Sequence, residues 1–416
     1  MNTKEIRKRK GFYFCLLAFT SVLLLLLLSV VSLFWPTRRF SASERRNLVQ
    51  RPKLSYEGIV DGTFSNEVES YLADQYPARD IWVYLNSLQN RILGIDYQNG
   101  IYRGKDGYLI QGFEKSEIDK EDQEKQKILN SFLERNSQLQ SYVMLVPTAS
   151  WILKDLLPSG APQGDEKSWY ESWLSTSKIS ELPNVTVVDC ADELAEAAKT
   201  NQIYYRTDHH WTTYGAYLAY CDFMESIGFY PIDLSNYNSV ILDEFYGSYF
   251  SKAKPFNIQG DILTYYEFYN LEMDIVGDRK YDSIYDISKA ELRDKYSLFL
   301  RGNNSLTIIK NSKLQNNKNI LVIKDSFANS LVPFLTQNFE EVHVIDLRSF
   351  NGKISDYINK NNLDKIIILY NFIISDIKLA LNLPTFTFEF VSSCLSTGIS
   401  VMLISFHSAR IIISAQ

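Results

Sequence analysis

Residues 319–327 read Asn-Ile-Leu-Val-Ile-Lys-Asp-Ser-Phe, an apolar run that stops abruptly at Asp325 and Ser326. A short, continuous apolar run is typical of a strand that is buried on both faces of a parallel sheet. The sequence therefore predicts that Ser326 lies on a strand-to-helix turn with its hydroxyl exposed. The alternative is an ordinary serine that caps the N-terminus of a helix.

Similar runs elsewhere in the chain predict the other strands of an α/β sheet, with helical stretches between them. The predicted strands are residues 142–147, 185–189, 320–323, 342–346 and 365–369. Residues 233–315 follow no regular pattern and are predicted to form an irregular insertion or lid. Residues 136–232 and 316–416 are predicted to form one α/β domain around it.

The second informative stretch runs from Tyr204 to Thr212 and holds two of the four histidines of the protein. Asp208 and His210 are separated by one residue, so a tight turn can bring the carboxylate against the imidazole. A carboxylate that fixes one imidazole tautomer is half of a nucleophile-activating triad, and Ser326 would supply the nucleophile. The alternative is a buried pair of histidines whose hydrogen bonds are satisfied within the core.

Composition excludes some classes of partner and site. The chain has 416 residues and a net charge of −6, so we expect no nucleic-acid partner. Its four cysteines show no metal-ligand spacing, and we expect neither a cofactor nor a metal. A metal-dependent hydrolase that uses Asp208, His209 and His210 is an alternative, but adjacent histidines rarely bind the same metal ion.

The N-terminus predicts a membrane anchor. Basic residues within positions 1–10 precede residues 11–35, which carry no charge and are long enough to cross a hydrocarbon core of about 30 Å. The positive-inside rule places residues 1–10 in the cytoplasm and the globular part outside the cell membrane. A cleaved signal peptide is the alternative, although residues 32–36 offer no small-residue cleavage site. Residues 36–135 are then a membrane-proximal region.

These motifs resemble those of the DHHW proteins, which are related to the SGNH hydrolases and to the O-acetyltransferases that modify alginate. The resemblance rests on Asp208-His209-His210-Trp211 and on Lys324-Asp325-Ser326-Phe327. Weaker support comes from residues 74–79, 104–109 and 246–252.

The resemblance implies an SGNH-hydrolase-like (flavodoxin-like) fold that is circularly permuted, because Asp208 and His210 precede Ser326 here. With right-handed crossovers, the permutation predicts the strand order 342–346, 320–323, 365–369, 142–147, 185–189 in a parallel five-stranded sheet. It also places Asn371 where that fold holds its oxyanion asparagine, although Asn371 could equally cap a helix. The glycine that the fold uses after strand 342–346 is absent from residues 347–350.

The predicted function is that of a membrane-anchored extracellular esterase or O-acetyltransferase that acts on a cell-envelope polysaccharide. Ser326, His210 and Asp208 would be catalytic, and a membrane acyltransferase could supply the acyl groups. Further predicted substrate contacts are Tyr204, Trp211 and Lys252. The alternative is a catalytically inactive envelope protein that binds polysaccharide or an assembly partner, which the missing glycine favours.

Overall fold

The fold is given by a computed structural model that describes residues 3–41, 46–162 and 164–371. The predicted α/β domain extends to residue 416. Its last part, residues 372–416, lies outside the described residues. That part includes residues 385–416, for which the sequence predicts no role. The described α-helices are α1 Thr3–Phe34, α2 Tyr56–Val60, α3 Thr63–Gln75, α4 Arg79–Ile92, α5 Lys120–Arg135, α6 Ala149–Ile152, α7 Glu166–Ser177, α8 Ala191–Ala197, α9 Thr213–Ser226, α10 Ser248–Ala253, α11 Val332–Leu335 and α12 Ile354–Lys360. The described strands are β1 Phe40–Ser41, β2 Arg46–Asn47, β3 Tyr97–Gln98, β4 Ile101–Arg103, β5 Leu109–Gln111, β6 Gln140–Val146, β7 Val185–Val187, β8 Ser239–Phe245, β9 Asp261–Tyr266, β10 Leu271–Ile275, β11 Lys280–Tyr281, β12 Leu306–Asn311, β13 Asn319–Lys324, β14 Glu341–Asp346 and β15 Lys365–Asn371.

The main sheet contains all five strands that the sequence predicts. They lie side by side in the order β14-β13-β15-β6-β7, and each neighbouring pair is parallel. This is the spatial order predicted from right-handed crossovers and the permuted chain order. The carboxyl ends of the parallel strands meet at one edge, where ligands bind in open α/β sheets.

The sheet is larger than the predicted five strands. It has eight strands among the described residues, because β12, β10 and β11 extend it beyond β14 as antiparallel neighbours. These three strands come from residues 233–315, so part of the predicted insertion belongs to the central sheet. In β10, Leu271 and Met273 are buried whereas Glu272 is exposed, an alternation that suits a strand with one face on the core.

Helices cover both faces of the sheet and form two hydrophobic layers. Successive residues of β6 alternate between them: Met144 packs on one side with Phe223 of α9, and Leu145 packs on the other with Trp173 of α7. Burial on both faces explains why the strands are continuous apolar runs rather than alternating ones. Each fully buried Leu or Ile contributes about 1.5–3 kcal/mol to stability.

The segment after Ser326 is not one continuous helix. Residues Ser326–Ser330 form a 3₁₀ turn, and α11 then begins at Val332 with Pro333 in its first turn. Proline has no N–H and fits the first turn of a helix but not its interior. Pro333 therefore makes the chain start a new helix instead of continuing one from the turn.

The N-terminal helix α1 contains the one span among the described residues that could cross a membrane by length and composition, Phe12–Ser32, with a mean hydropathy of 2.8. None of that span is buried against the rest of the protein. A signal sequence would have the same properties. The helices α2 to α4 and the hairpin β4–β5 follow it, and the hairpin turn lies at Lys105–Gly107.

Candidate active site

Ser326 lies where β13 ends, on a turn that is held by the side chain of Asp325. One carboxylate oxygen of Asp325 accepts a hydrogen bond from the Phe327 N–H at 2.8 Å, and the other accepts from the Asn371 N–H at 2.6 Å. Because β13 and β15 are parallel neighbours, this carboxylate joins their carboxyl ends. The turn that carries Ser326 is therefore tied to the adjacent strand.

The segment with Asp208 and His210 is held by the carboxylate of Asp261, at the start of β9. Asp261 accepts hydrogen bonds from the backbone N–H groups of Arg206 and Thr207, each at 2.8 Å. The carboxylate of Asp208 also accepts from the backbone N–H of His210 at 3.0 Å, which closes the predicted tight turn. The geometry of the turn is therefore set by two carboxylates.

Asp208, His210 and Ser326 form a continuous line of hydrogen bonds. Asp208 Oδ1 lies 2.5 Å from His210 Nδ1, and His210 Nε2 lies 2.8 Å from Ser326 Oγ. The contact between Ser326 and His210 that the sequence predicts is present across 116 residues of chain. Asp208 and His210 are buried, whereas Ser326 is partly exposed. The exposed end of this line is the hydroxyl, as nucleophilic attack requires.

Asp208 is held as a carboxylate. Burial alone would raise the pKa of Asp208, but His209, His210 and the Ser248 N–H outweigh burial and keep that pKa well below its usual range. An ionised Asp208 accepts the Nδ1–H of His210, which leaves Nε2 of the ring to accept a proton from Ser326.

The Gly247-Ser248 step at the start of α10 packs directly on Asp208, which the sequence did not predict. The Ser248 N–H donates to Asp208 Oδ2 at 2.6 Å, and Ser248 Oγ lies 2.6 Å from His209 Nδ1. A Cβ on Gly247 would lie 2.2 Å from both Cβ and Oδ2 of Asp208. Only glycine allows this close approach. The resemblance of residues 246–252 to the family was the one sequence signal that pointed here.

Tyr296 covers the ring of His210 and was also missed. The two rings are stacked with centroids 3.8 Å apart, and the Tyr296 hydroxyl donates to the Ser326 carbonyl at 2.9 Å. Burial raises the pKa of Tyr296 well above its usual range, so the phenol keeps its proton and remains a donor. Tyr296 thus contacts both the imidazole and the serine turn.

Lys324 is a buried cation two residues before Ser326. Its side chain is 1% exposed, and Nζ donates to Asn303 at 2.9 Å and to Asn329 at 2.7 Å, with Asp346 at 3.6 Å. Burial lowers the pKa of Lys324 to about 8, although Asp346 opposes this shift. The ammonium group of Lys324 therefore connects the carboxyl end of β13 to Asp346 of β14 and to Asn329 of the 3₁₀ turn.

The other predicted site residues lie in different environments. Tyr204 and Trp211 are fully buried, and they donate to the carbonyls of Pro147 and Phe327. A side chain without exposed surface does not reach a polymer, so both are better assigned to packing than to substrate. Lys252 is exposed on α10. Asn371 ends β15, and its backbone N–H is engaged by Asp325, so an oxyanion role for its side chain stays a prediction.

A metal could in principle bind at Asp208, His209 and His210, whose ligand atoms lie within 4.8 Å of one another. Both ring nitrogens of His210 are already hydrogen-bonded, to Asp208 and to Ser326. A metal ion on His210 would therefore have to replace one of these bonds. The geometry favours the hydrogen-bonded line over a metal site.

Comparisons with known proteins agree with the fold. A sequence profile of the family described as DHHW protein matches residues 137–345, half of the chain. No curated protein sequence matches. Among solved structures, a DHHW family protein from Eubacterium siraeum is 26% identical with a TM-score of 0.54, over 66% of this chain and 92% of that one. PatB1 of Bacillus cereus, solved with a sulfonyl adduct, is 22% identical with a TM-score of 0.56, over 67% of this chain and 98% of that one. The O-acetyltransferase domain of Pseudomonas putida AlgJ is a weaker match, at 11% identity and a TM-score of 0.42, over 72% of this chain and 99% of that one.

Proposed function

The chain belongs to the DHHW protein family, and from that premise we propose that it is a serine-dependent acyl-transfer enzyme, an esterase or O-acetyltransferase that acts on a cell-envelope polysaccharide. The observation that carries the proposal is the line of hydrogen bonds from Asp208 through His210 to the partly exposed Ser326. A packing role for these residues would not require the hydroxyl to lie at the surface.

The proposed reaction has two steps. Ser326 Oγ attacks the ester carbonyl while His210 Nε2 takes its proton, and Asp208 holds the Nδ1–H of the resulting imidazolium. The leaving alcohol takes the proton from Nε2, which leaves an acyl group on Ser326. Water or a sugar hydroxyl then loses its proton to Nε2 and attacks the acyl group. The bond between the acyl carbon and Ser326 Oγ breaks, Nε2 returns the proton to Oγ, and the acyl group leaves as the acid or on the sugar. A membrane acyltransferase could supply the first ester.

Stabilisation of the oxyanion is proposed for the Ser326 N–H and the Asn371 side chain. Support comes from the position of Asn371 at the carboxyl end of the neighbouring strand, tied through its backbone to the serine turn. Hydrogen-bond donors placed at a developing negative charge typically contribute about 10²–10³ in rate.

The parallel strands are proposed to form a circularly permuted SGNH-hydrolase-like domain. Support comes from the order of β14, β13, β15, β6 and β7, and from a proposed nucleophile that follows Asp208 and His210 in the chain. Residues 136–232 and 316–416 would form this domain, and 36–135 the membrane-proximal region. Residues 11–35 would anchor it in the bilayer as a single-pass helix, with the globular part outside the cell.

The test is hydrolysis of a chromogenic acetate ester by the full-length protein in detergent, with and without a metal chelator. We expect turnover that is insensitive to the chelator and falls at least about 10³-fold in Ser326→Ala. Ser137→Ala, which changes an exposed serine just before the amino end of β6, away from the carboxyl ends of the strands, is the matched control. Turnover that survives in Ser326→Ala would reject the serine mechanism.

Two other outcomes favour the alternatives. Loss of activity with the chelator would point to a metal held by Asp208, His209 and His210. No turnover in any form of the protein, with the fold intact, would favour an inactive polysaccharide-binding protein.

A further inference from the structure

A cleft of about 920 Å³ lies between the membrane-proximal helices and α10. One wall comes from α3, α4 and the turn between them, including Tyr76, Arg79 and Trp82. The opposite wall includes Ser248 and Lys252 of α10. We propose that this cleft binds an anionic glycan strand, one that carries carboxylate or phosphate groups, and delivers it to Ser326.

The wall of the cleft formed by α10 adjoins the candidate active site. Ser248 lines the cleft, and its hydroxyl lies 2.6 Å from His209 Nδ1 while its N–H donates to Asp208. The ring of His209 lies 3.8 Å from that of His210. Three side chains in contact, those of Ser248, His209 and His210, therefore connect the cleft to the proposed nucleophile.

The charge of the cleft favours an anionic ligand. Its described lining contains four basic residues, Arg46, Arg79, Lys252 and Lys254, and no Asp or Glu. The protein as a whole carries a net charge of −6, so this positive lining contrasts with the rest of the molecule. A cleft lined by one sign of charge concentrates ligands of the opposite sign.

Lys252 is the clearest charge that is open to a ligand. Arg46 is paired with the buried Asp74 at 2.5 Å, which uses its charge within the fold. Lys252 is exposed and forms no ion pair with any residue in the described part of the chain. An anionic group on the ligand would give this ammonium a partner at no cost to an existing bond.

The aromatic and amide side chains favour a glycan over other anions. Trp82 is 48% exposed, and its ring is held by a hydrogen bond from Nε1 to the Pro77 carbonyl at 3.2 Å and by an edge contact with Tyr76. A fixed, exposed indole offers an apolar face to a sugar ring. The side chains of Asn86 and Gln98 also line the cleft and supply both donors and acceptors for hydroxyl groups.

This inference rests on the proposed function for its connection to Ser326, but its ligand is argued from the cleft alone. Residues 46–99 of the lining precede the part of the chain that the family profile matches, 137–345. The cleft would therefore give this protein a substrate preference through its membrane-proximal region.

The test is a direct binding measurement on the full-length protein in detergent, without turnover. The probes are oligogalacturonate, which carries carboxylates, a glycerol-phosphate oligomer, which carries phosphates, and neutral chitohexaose. We expect one of the two anionic probes to bind at least tenfold more tightly than chitohexaose, which identifies the anionic group. Lys252→Glu and Trp82→Ala should each weaken that binding at least tenfold, whereas Lys252→Arg should retain it.

Lys199→Glu is the matched control, because Lys199 is an exposed lysine on the surface after α8, outside the cleft. It should bind the probe and hydrolyse the chromogenic ester as the unmodified protein does. Equal binding of chitohexaose, no binding of any probe, or equal losses in Lys252→Glu and Lys199→Glu would overturn the inference. So would binding only to vesicles that contain phosphatidylglycerol, which would indicate a lipid site.

The binding result is separate from the proposed catalysis. Selective binding without ester hydrolysis would support the glycan-binding cleft and contradict the proposed catalysis. Ester hydrolysis with no preference for anionic probes would support the proposed catalysis and contradict the glycan-binding cleft.

Discussion

The ring of Tyr296 lies parallel to the imidazole of His210, with centroids 3.8 Å apart and 8° between the ring planes. Tyr296 comes from residues 233–315, the segment predicted to be an insertion, yet its hydroxyl also donates to the carbonyl of Ser326. One side chain thus holds the orientation of the proposed base and the position of the turn that carries the proposed nucleophile.

Replacing Tyr296 should separate these two effects. Tyr296→Phe keeps the stacked ring but loses the hydroxyl, which bonds the Ser326 carbonyl at 2.9 Å and also contacts the Ser330 hydroxyl at 3.2 Å. Because the bond to the serine turn contributes about 1 kcal/mol, kcat/KM for the chromogenic ester should fall about fivefold. Tyr296→Ala also leaves a cavity against His210 and should cost about 3–5 kcal/mol of stability and more than tenfold in rate. Tyr269→Phe, which removes an exposed phenol bonded to Glu267, is the control. Equal rates in all three variants would show that Tyr296 does not position the site.

Gly247→Ala should place a methyl group against Asp208. The new Cβ would lie 2.2 Å from Asp208 Oδ2, so either α10 or the carboxylate must move. We expect a loss of about 1–3 kcal/mol in the free energy of unfolding and at least a tenfold loss in kcat. In Gly160→Ala, where nothing lies within 4 Å, stability should change by less than about 0.5 kcal/mol. Denaturant unfolding and ester kinetics on both variants make the comparison.

The sequence predicts the strands and the Asp208–His210–Ser326 contact for a physical reason. Strands buried on both faces must be apolar throughout. A short apolar run such as residues 319–323 is therefore typical of such a strand. The chain has only four histidines, and His210 follows Asp208 closely enough for the two side chains to meet. A histidine and carboxylate in this arrangement lack a nucleophile, and a serine at the end of a buried strand can supply it. The antiparallel strand β10 also carried a signal, the alternation from Leu271 to Ile275, but at five residues it was too short to separate from its surroundings.

The supporting residues could not be predicted because their roles depend on distant contacts. Tyr296 is one of 27 tyrosines and lies in an irregular segment, so nothing local marks it. Lys324 ends an apolar run, where a lysine is usually exposed. It is buried because Asn303, Asn329 and Asp346 converge on it from three other parts of the chain. Only the folded chain brings those groups together.

Lys324 should make stability depend on pH in the alkaline range. Its pKa is about 8 in the folded protein and about 10.4 when unfolded, so between these values the unfolded chain binds more protons. Stability relative to Lys324→Met should therefore be constant below about pH 8 and rise from pH 8 to 10, by at most about 3 kcal/mol. Chemical unfolding of both proteins at several pH values measures the difference. A difference that falls over this range would mean that the folded protein holds the lysine charged.

The N-terminal helix should keep the protein in the membrane. Full-length protein should remain in the membrane pellet after a high-salt wash and be released by detergent, because Phe12–Ser32 is apolar and unburied. Deletion of residues 3–35 should move the protein to the soluble fraction. External protease on intact cells should degrade the globular part, as the positive-inside rule predicts. A mature N-terminus found after residue 36 would instead identify a cleaved signal sequence.

Ser326 and His210 should act as one unit, so the effects of their substitutions should not add. Ser326→Ala removes the nucleophile, and His210→Ala removes the group that accepts its proton, at 2.8 Å. Each single variant should lose at least about 10³ in kcat, and the double variant should lose little more than either alone, which is the behaviour of residues that act as a catalytic unit. The two substitutions should affect stability differently. Ser326 is only partly buried, so Ser326→Ala should leave the free energy of unfolding nearly unchanged. His210 is 5% exposed, so His210→Ala should lower the free energy of unfolding, because it removes the hydrogen bond to the buried Asp208. A sulfonyl fluoride should label Ser326 in the unmodified protein and fail to label it in His210→Ala, which mass spectrometry of the peptide would show. Losses that multiply in the double variant would mean that the two residues affect activity independently, and the hydrogen bond between them would then be structural.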